Sequence, residues 1–111
     1  VKTETLSLIK GKEKSCIYIF PTGNSGEGTA RMLQDSGYDV KGFFDNSKTK
    51  NNCLINGLKV SLPNIIDTMS PDEKVDLFII ISSQYEKAVQ SIIKQLKSYG
   101  IGEKQYICRF Y

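Results

Sequence analysis

The segment Ile17-Tyr18-Ile19-Phe20-Pro21-Thr22-Gly23-Asn24-Ser25-Gly26-Glu27-Gly28 constrains this chain most: an apolar, β-prone run that passes through a glycine turn into a helix. A strand that hands over to a helix in this way opens a βαβ unit, whose next strand runs parallel to the first. Val40 to Phe44 supplies that strand, and Asp45 stands at its end, 22 positions after Gly23. The offset is close to the roughly 20 residues expected before an acidic residue that takes ribose hydroxyls. Where the fingerprint G-x-G-x-x-G has its first glycine the chain has Pro21, which fixes φ and lacks an N–H. Architecture is therefore marked more strongly than ligand.

The rest of the chain continues the alternation. Cys16 to Phe20 reads as a strand buried on both faces. In the helix that follows, Ala30, Met32 and Leu33 point inward, Arg31, Gln34 and Asp35 point outward, and Gly37 ends it. Asp45-Asn46-Ser47, running on to Asn52, is a polar loop, Asn56-Gly57 is a turn, and Leu58 to Leu62 is a short third strand. Pro63 opens a short helix carrying Ile65, Ile66 and Met69, and Ser70-Pro71-Asp72-Glu73 is a capping box. Asp76 to Ile81 is the fourth strand, which Ser82 and Ser83 end and from which they cap the next helix. That helix carries Tyr85, Ala88, Val89, Ile92, Ile93, Leu96 and Tyr99 at spacings of three and four, so Tyr85 reads as a packing residue. Gly100 closes it, and Gln105 to Phe110 is the last strand.

These elements predict an α/β, Rossmann-like three-layer sandwich with a five-stranded parallel sheet in the order 3-2-1-4-5. The expected domain covers residues 15–111, with 1–14 as a linker or terminal helix along which Leu6, Leu8 and Ile9 form an apolar edge. A chain that opens on Val1 reads as a piece of a longer protein.

Composition excludes several classes of function. Hydrophobic residues at 40% and charged residues at 24% describe an ordinary soluble chain, expected in the cytoplasm. Leu77 to Ile81, the longest strongly apolar run, is too short to cross a bilayer, so no membrane insertion is expected. The net charge of +3 is spread along the sequence, and its one cluster, Lys10, Lys12 and Lys14, is interrupted by Glu13. No nucleic-acid partner is expected from it. Cys16, Cys53 and Cys108 form no C-x-x-C pair, and Cys16 and Cys108 read as buried thiols. With no histidine, neither a metal site nor a Ser-His-Asp or Cys-His arrangement is expected.

A ligand of such a sheet sits beyond the carboxyl ends of the strands where the order reverses, between strands one and four. The candidate binding residues are Thr22, Gly23, Asn24, Ser25 and Gly26 in the turn, Asp45 and Asn46 after strand two, and Ser82 and Ser83 after strand four. Glu27 argues against a tightly held phosphate, because a carboxylate in the first helical turn occupies the favourable field. Asp45 would disfavour a 2′-phosphate, so NAD is preferred to NADP. Thr29-Ala30 stands where a phosphate loop has Lys-Ser/Thr, and no tyrosine has a lysine four residues on. No catalytic residue emerges.

The runs Ile17 to Gly26, Gly42-Phe43-Phe44-Asp45-Asn46 and Ile79-Ile80-Ile81-Ser82-Ser83-Gln84-Tyr85 resemble Rossmann-like modules of bacterial glycan-biosynthesis proteins. Such modules occur in nucleotide-sugar acetyltransferases and dehydratases and as accessory domains of sugar methyltransferases. The resemblance spans nearly the whole chain beyond Ser15. It implies that the Gly23–Gly26 turn and the Asp45 loop contact a nucleotide or nucleotide-sugar, with catalysis in another domain of a transferase or dehydratase. NAD or a nucleotide-sugar is the expected ligand, and other domains of the parent protein or a second copy are the expected partners. The alternative is a Rossmann-like scaffold that binds no ligand and mediates contacts.

Overall fold

The computed structural model describes residue 7, residues 9–12 and residues 15–109. The expectations for Leu6, Leu8, Glu13, Lys14 and Phe110 lie outside the described residues. In chain order the elements are β1 (Cys16–Phe20), α1 (Asn24–Asp35), β2 (Val40–Phe44), β3 (Leu54–Ile55), β4 (Leu58–Ser61), α2 (Pro71–Val75), β5 (Leu77–Ile81), α3 (Glu86–Ser98) and β6 (Tyr106–Cys108). Single 3-10 segments occupy Lys48–Lys50, Pro63–Thr68 and Glu103–Gln105.

One sheet carries the order β3-β4-β2-β1-β5-β6, parallel throughout except for the β3–β4 pair. This corrects the expected five strands in the order 3-2-1-4-5. The additional strand arises at Asn56-Gly57, where φ is 53° and 76°. Two successive positive values fold the chain into a tight two-residue hairpin, so Ile55 lies opposite Leu58 and Leu54 opposite Lys59. A strand of two residues has no periodicity that a sequence could display.

The apolar runs split cleanly between the two faces. Ile17, Ile19, Phe78 and Ile80 pack with Ala30, Met32 and Leu33 of α1, and Ile9 is buried with them. Phe20, Leu77, Ile79 and Ile81 pack on the other face with Val89, Ile92 and Leu96 of α3. All five β5 residues are buried, which is why that strand reads as a continuous apolar run rather than an alternating one. Each such isoleucine contributes about 1.5–3 kcal/mol by leaving water. Lys12, from the expected cationic cluster, lies with its ammonium 5.3 Å from the Phe78 ring centre.

Between β1 and β2 the register slips, since Ile17 faces Val40 but Tyr18 faces Gly42. The unmatched Lys41 turns outward and pairs with Asp39 at 2.7 Å. The slip places Val40 and Phe43 on the α1 face and Phe44 on the α3 face. There the Tyr18 ring stacks on Phe44, with centroids 4.3 Å apart, and burial pushes the Tyr18 phenol up from its ordinary pKa. Gly42 makes that stack fit: a Cβ would stand 2.7 Å from the Lys59 carbonyl oxygen and 3.3 Å from the Tyr18 ring.

The capping box forms as expected. Ser70 Oγ accepts the Glu73 N–H at 3.2 Å and Glu73 Oε1 accepts the Ser70 N–H at 2.9 Å, starting the single turn of α2 before β5. Gly42→Ala is expected to lower unfolding free energy by about 1–3 kcal/mol, because backbone on one side and a stacked ring on the other must yield. Urea denaturation followed by circular dichroism checks this; an unchanged midpoint would contradict the packing described.

Candidate functional site

The Pro21–Gly23 turn delivers the chain from β1 to α1 behind a cis Phe20–Pro21 peptide. Gly23, with φ 103°, is the N-cap, and no side chain caps the helix. Its carbonyl takes the Glu27 N–H at 2.8 Å, while the N–H groups of Asn24, Ser25 and Gly26 donate to no group among the described residues. These are the open donors of a helix start, where the partial positive charge of the dipole is concentrated. Gly26 lets the turn fold this tightly, because a Cβ there would collide with the Pro21 carbonyl oxygen.

Asp45 fastens the turn from beneath. Its Oδ2 accepts the Thr22 N–H at 3.0 Å and the Thr22 hydroxyl at 2.6 Å, and its Oδ1 accepts the Ser47 N–H at 2.8 Å. Lys50 Nζ donates to Thr22 Oγ1 at 2.8 Å and stands 3.9 Å from Asp45 Oδ2. The Thr22 hydroxyl thus receives from an ammonium and donates to a carboxylate, so all three groups keep a single polarity. Burial alone would push the Asp45 carboxyl up. The hydrogen bonds from Thr22 and Ser47, with Lys50 nearby, outweigh it and hold the carboxyl below its usual range.

The opposite wall is the end of β5. The Ser82 N–H donates to the Phe20 carbonyl at 2.8 Å, carrying the ladder one residue past the end of β5. Thr29 Oγ1 donates its one proton to the Ser25 carbonyl at 2.9 Å, so in its 2.9 Å contact with Ser82 Oγ the serine is the donor. The pair is buried and ties α1 to β5. Ser83 Oγ accepts the Tyr85 N–H at 3.2 Å, one residue before α3, while the N-cap residue Tyr85 has no side-chain cap bond. The expected packing role of Tyr85 is corrected here: the residue is 67% exposed at the cleft mouth. The helical period that it shares with Ala88 and Val89 starts one residue too early, because Tyr85 has extended backbone.

Between these walls lies a cleft of about 390 Å³, formed by Pro21, Thr22, Gly23, Asn24 and Ser25 on one side and Ser82, Ser83, Gln84, Tyr85 and Ala88 on the other. The structure therefore brings together Thr22, Gly23, Asn24, Ser25, Ser82 and Ser83 of the candidate set. Gly26 lies just behind the lining, Asp45 lies under Thr22, and Asn46 is held away by paired amide bonds to Gln95 at 2.8 and 3.1 Å. Gln84 and Tyr85 complete the cleft and were not among the expected residues. Their signal was available in part, since they follow Ser83 directly at the end of the same strand.

The lining contains hydroxyls, amides and backbone N–H groups, with neither a carboxylate nor a lysine or arginine. The first turns of both α1 and α3 open onto it, so its field favours an anion without a side-chain cation. Glu27 and Glu86 lie in those first turns yet outside the lining. Cys16 and Cys108 are half-buried and Cys53 is exposed; burial, with Glu86 nearby, pushes the Cys108 thiol up and away from thiolate character. No group of residues that could hold a metal ion occurs among the described residues, and no described helix is long and apolar enough to cross a membrane.

A parallel-dominated sheet with helices on both faces and a cleft at the reversal of strand order defines a Rossmann-like fold. Solved structures share it. A structure described as UDP-D-quinovosamine 4-dehydrogenase from Vibrio fischeri superposes with a TM-score of 0.68 at 16% identity, over 86% of this chain and 77% of that one. RSP, a Rex-family repressor, gives 0.62 at 20% identity over 96% of this chain, which spans 57% of the repressor. The same repressor in complex with β-NADH gives 0.61 at 20% identity, over 96% and 58% of the two chains. No protein-family model matches the sequence, and no curated protein matches it.

Asp45→Ala is expected to destabilise the chain by about 1–3 kcal/mol, because it leaves the Thr22 and Ser47 donors unpaired. The depressed carboxyl stabilises the fold above its unfolded pKa of about 3.9, and that stability is lost as pH falls through the lower folded value. Thermal melts from pH 7 down to pH 2 should therefore show a steeper acid loss in the unaltered chain than in the variant. Parallel curves would mean that the carboxylate does not hold the turn.

Proposed function

We propose that this chain is the nucleotide-binding domain of a protein of bacterial glycan assembly, and that its β1/β5 cleft seats the diphosphate of a nucleotide-sugar. Two uncapped helix starts facing one cleft carry this reading. The open N–H groups of Asn24, Ser25 and Gly26 meet the phosphates, with Gly23 giving close approach, and Ser83 and the Asn24 amide take ligand oxygens, while Ser82, whose N–H and hydroxyl protons go to Phe20 and Thr29, positions the wall. Asp45 acts through Thr22 as a positioning residue, while Asn46, bonded to Gln95 away from the cleft, takes no part in the seat.

A nucleotide-sugar is favoured over NAD. The carboxylate that a dinucleotide would use for its ribose diol already has both Oδ2 acceptor positions filled by Thr22. Oδ1 keeps one acceptor position beside the Ser47 N–H, so a ribose diol could engage both carboxylate oxygens only by loosening the turn that presents the phosphate donors. The likeness to a structure named for a UDP-sugar supports the choice, while the NADH-bound repressor keeps NAD as the comparison ligand. Catalysis falls to another domain of a cytoplasmic transferase or dehydratase, which with the nucleotide-sugar is the partner of this domain.

Calorimetric titration with UDP-N-acetylglucosamine and with NAD tests the proposal. The UDP-sugar should bind the more tightly. Ser25→Asp should weaken it on the order of tenfold by placing a carboxylate where the diphosphate sits, without harming a helix that welcomes an acid in its first turn. Failure of the unaltered chain to bind either ligand would leave the scaffold role standing instead.

A further inference from the structure

We infer that the Ser83-Gln84-Tyr85 segment is the nucleobase platform of the cleft, with the Tyr85 ring as the stacking face and the Gln84 amide as the reader of the base edge. The inference rests on the nucleotide reading above and adds the direction in which the ligand lies. A nucleotide whose diphosphate sits at the start of α1 could extend towards β2, the side carrying Asp45, or towards β5.

On the β2 side the polar groups are engaged by the protein's own bonds. Asp45 is taken up by Thr22 and Ser47, Lys50 stands over Thr22, and Asn46 is clasped to Gln95. None of the four residues Asp45, Asn46, Ser47 and Lys50 lines the cleft. The β5 side is open. Tyr85 is 67% exposed although it is among the largest apolar surfaces of the chain, and it lies on the lining itself. Its backbone is fixed by the Ser83 hydroxyl, so the ring is presented rather than left on a loose loop. The Gln84 side chain makes no hydrogen bond among the described residues, which leaves both donors and its acceptor for a base edge. Ala88, one turn along α3, is small enough to leave room beside the ring. An aromatic face beside a free amide, next to an anion seat, is the chemistry that binds a planar heterocycle carrying a phosphate.

The full chain titrated with UDP, with ADP and with inorganic pyrophosphate tests this. With six tyrosines and no tryptophan, the chain also reports stacking through its tyrosine emission. One of the two nucleotides should bind more tightly than pyrophosphate and quench that emission. Tyr85→Ala should weaken that nucleotide about tenfold and abolish its quenching while leaving pyrophosphate affinity unchanged. Tyr85→Phe should retain nucleotide affinity. UDP and ADP binding unaltered in Tyr85→Ala would overturn the platform while leaving the diphosphate seat intact. Equal losses for pyrophosphate and nucleotide would reduce Tyr85 to a structural role. A chain that binds none of the three probes would overturn the nucleotide reading and the platform with it.

Discussion

The site depends on one buried interaction, the carboxylate of Asp45 accepting both the N–H and the hydroxyl of Thr22. It joins the end of β2 to the turn that leaves β1, and so decides how the first residues of α1 are aimed. Without it the N–H and hydroxyl of Thr22 would lose their carboxylate acceptor. Lys50 completes the arrangement by giving the Thr22 hydroxyl a donor and the carboxylate a neighbouring charge. A second tie, Ser82 to Thr29 to the Ser25 carbonyl, fixes the opposite wall to the same helix. The two walls of the cleft are therefore both referenced to α1.

That geometry explains a cleft that favours anions without containing a cation. Backbone donors at two helix starts supply the field, and the carboxylates nearest to them are absent from the lining. Such a field favours an anion by direction rather than by net charge, so salt should screen it less than a lysine cluster on the surface.

Much of the architecture was legible in the sequence because it rests on local signals. The unbroken apolar runs of β1 and β5, the glycine turn and the Ser70–Glu73 capping box each state their structure within a few residues. The cleft position followed from strand order. What escaped depends on contacts between distant residues or on elements too short to show a pattern. Leu54–Ile55 pairs only because Asn56-Gly57 turns the chain back on β4. The slip at Lys41 answers to the Tyr18–Phe44 stack, which no spacing within β2 announces. Asp45 was legible as an acid closing β2, but its partner 23 residues earlier was not. Tyr85 was misread because the helical period extends one residue beyond the helix itself.

In the proposed function the starts of α1 and α3 form one anion seat built from backbone donors. Two-dimensional amide NMR of the chain during titration with UDP tests it most directly. The account predicts large, saturable shifts of the Asn24, Ser25 and Gly26 amides together with those of Ser82 to Tyr85, while the Ser47 and Lys50 amides move little. Shifts centred on the Asp45–Lys50 loop, or none at saturating UDP, would contradict it.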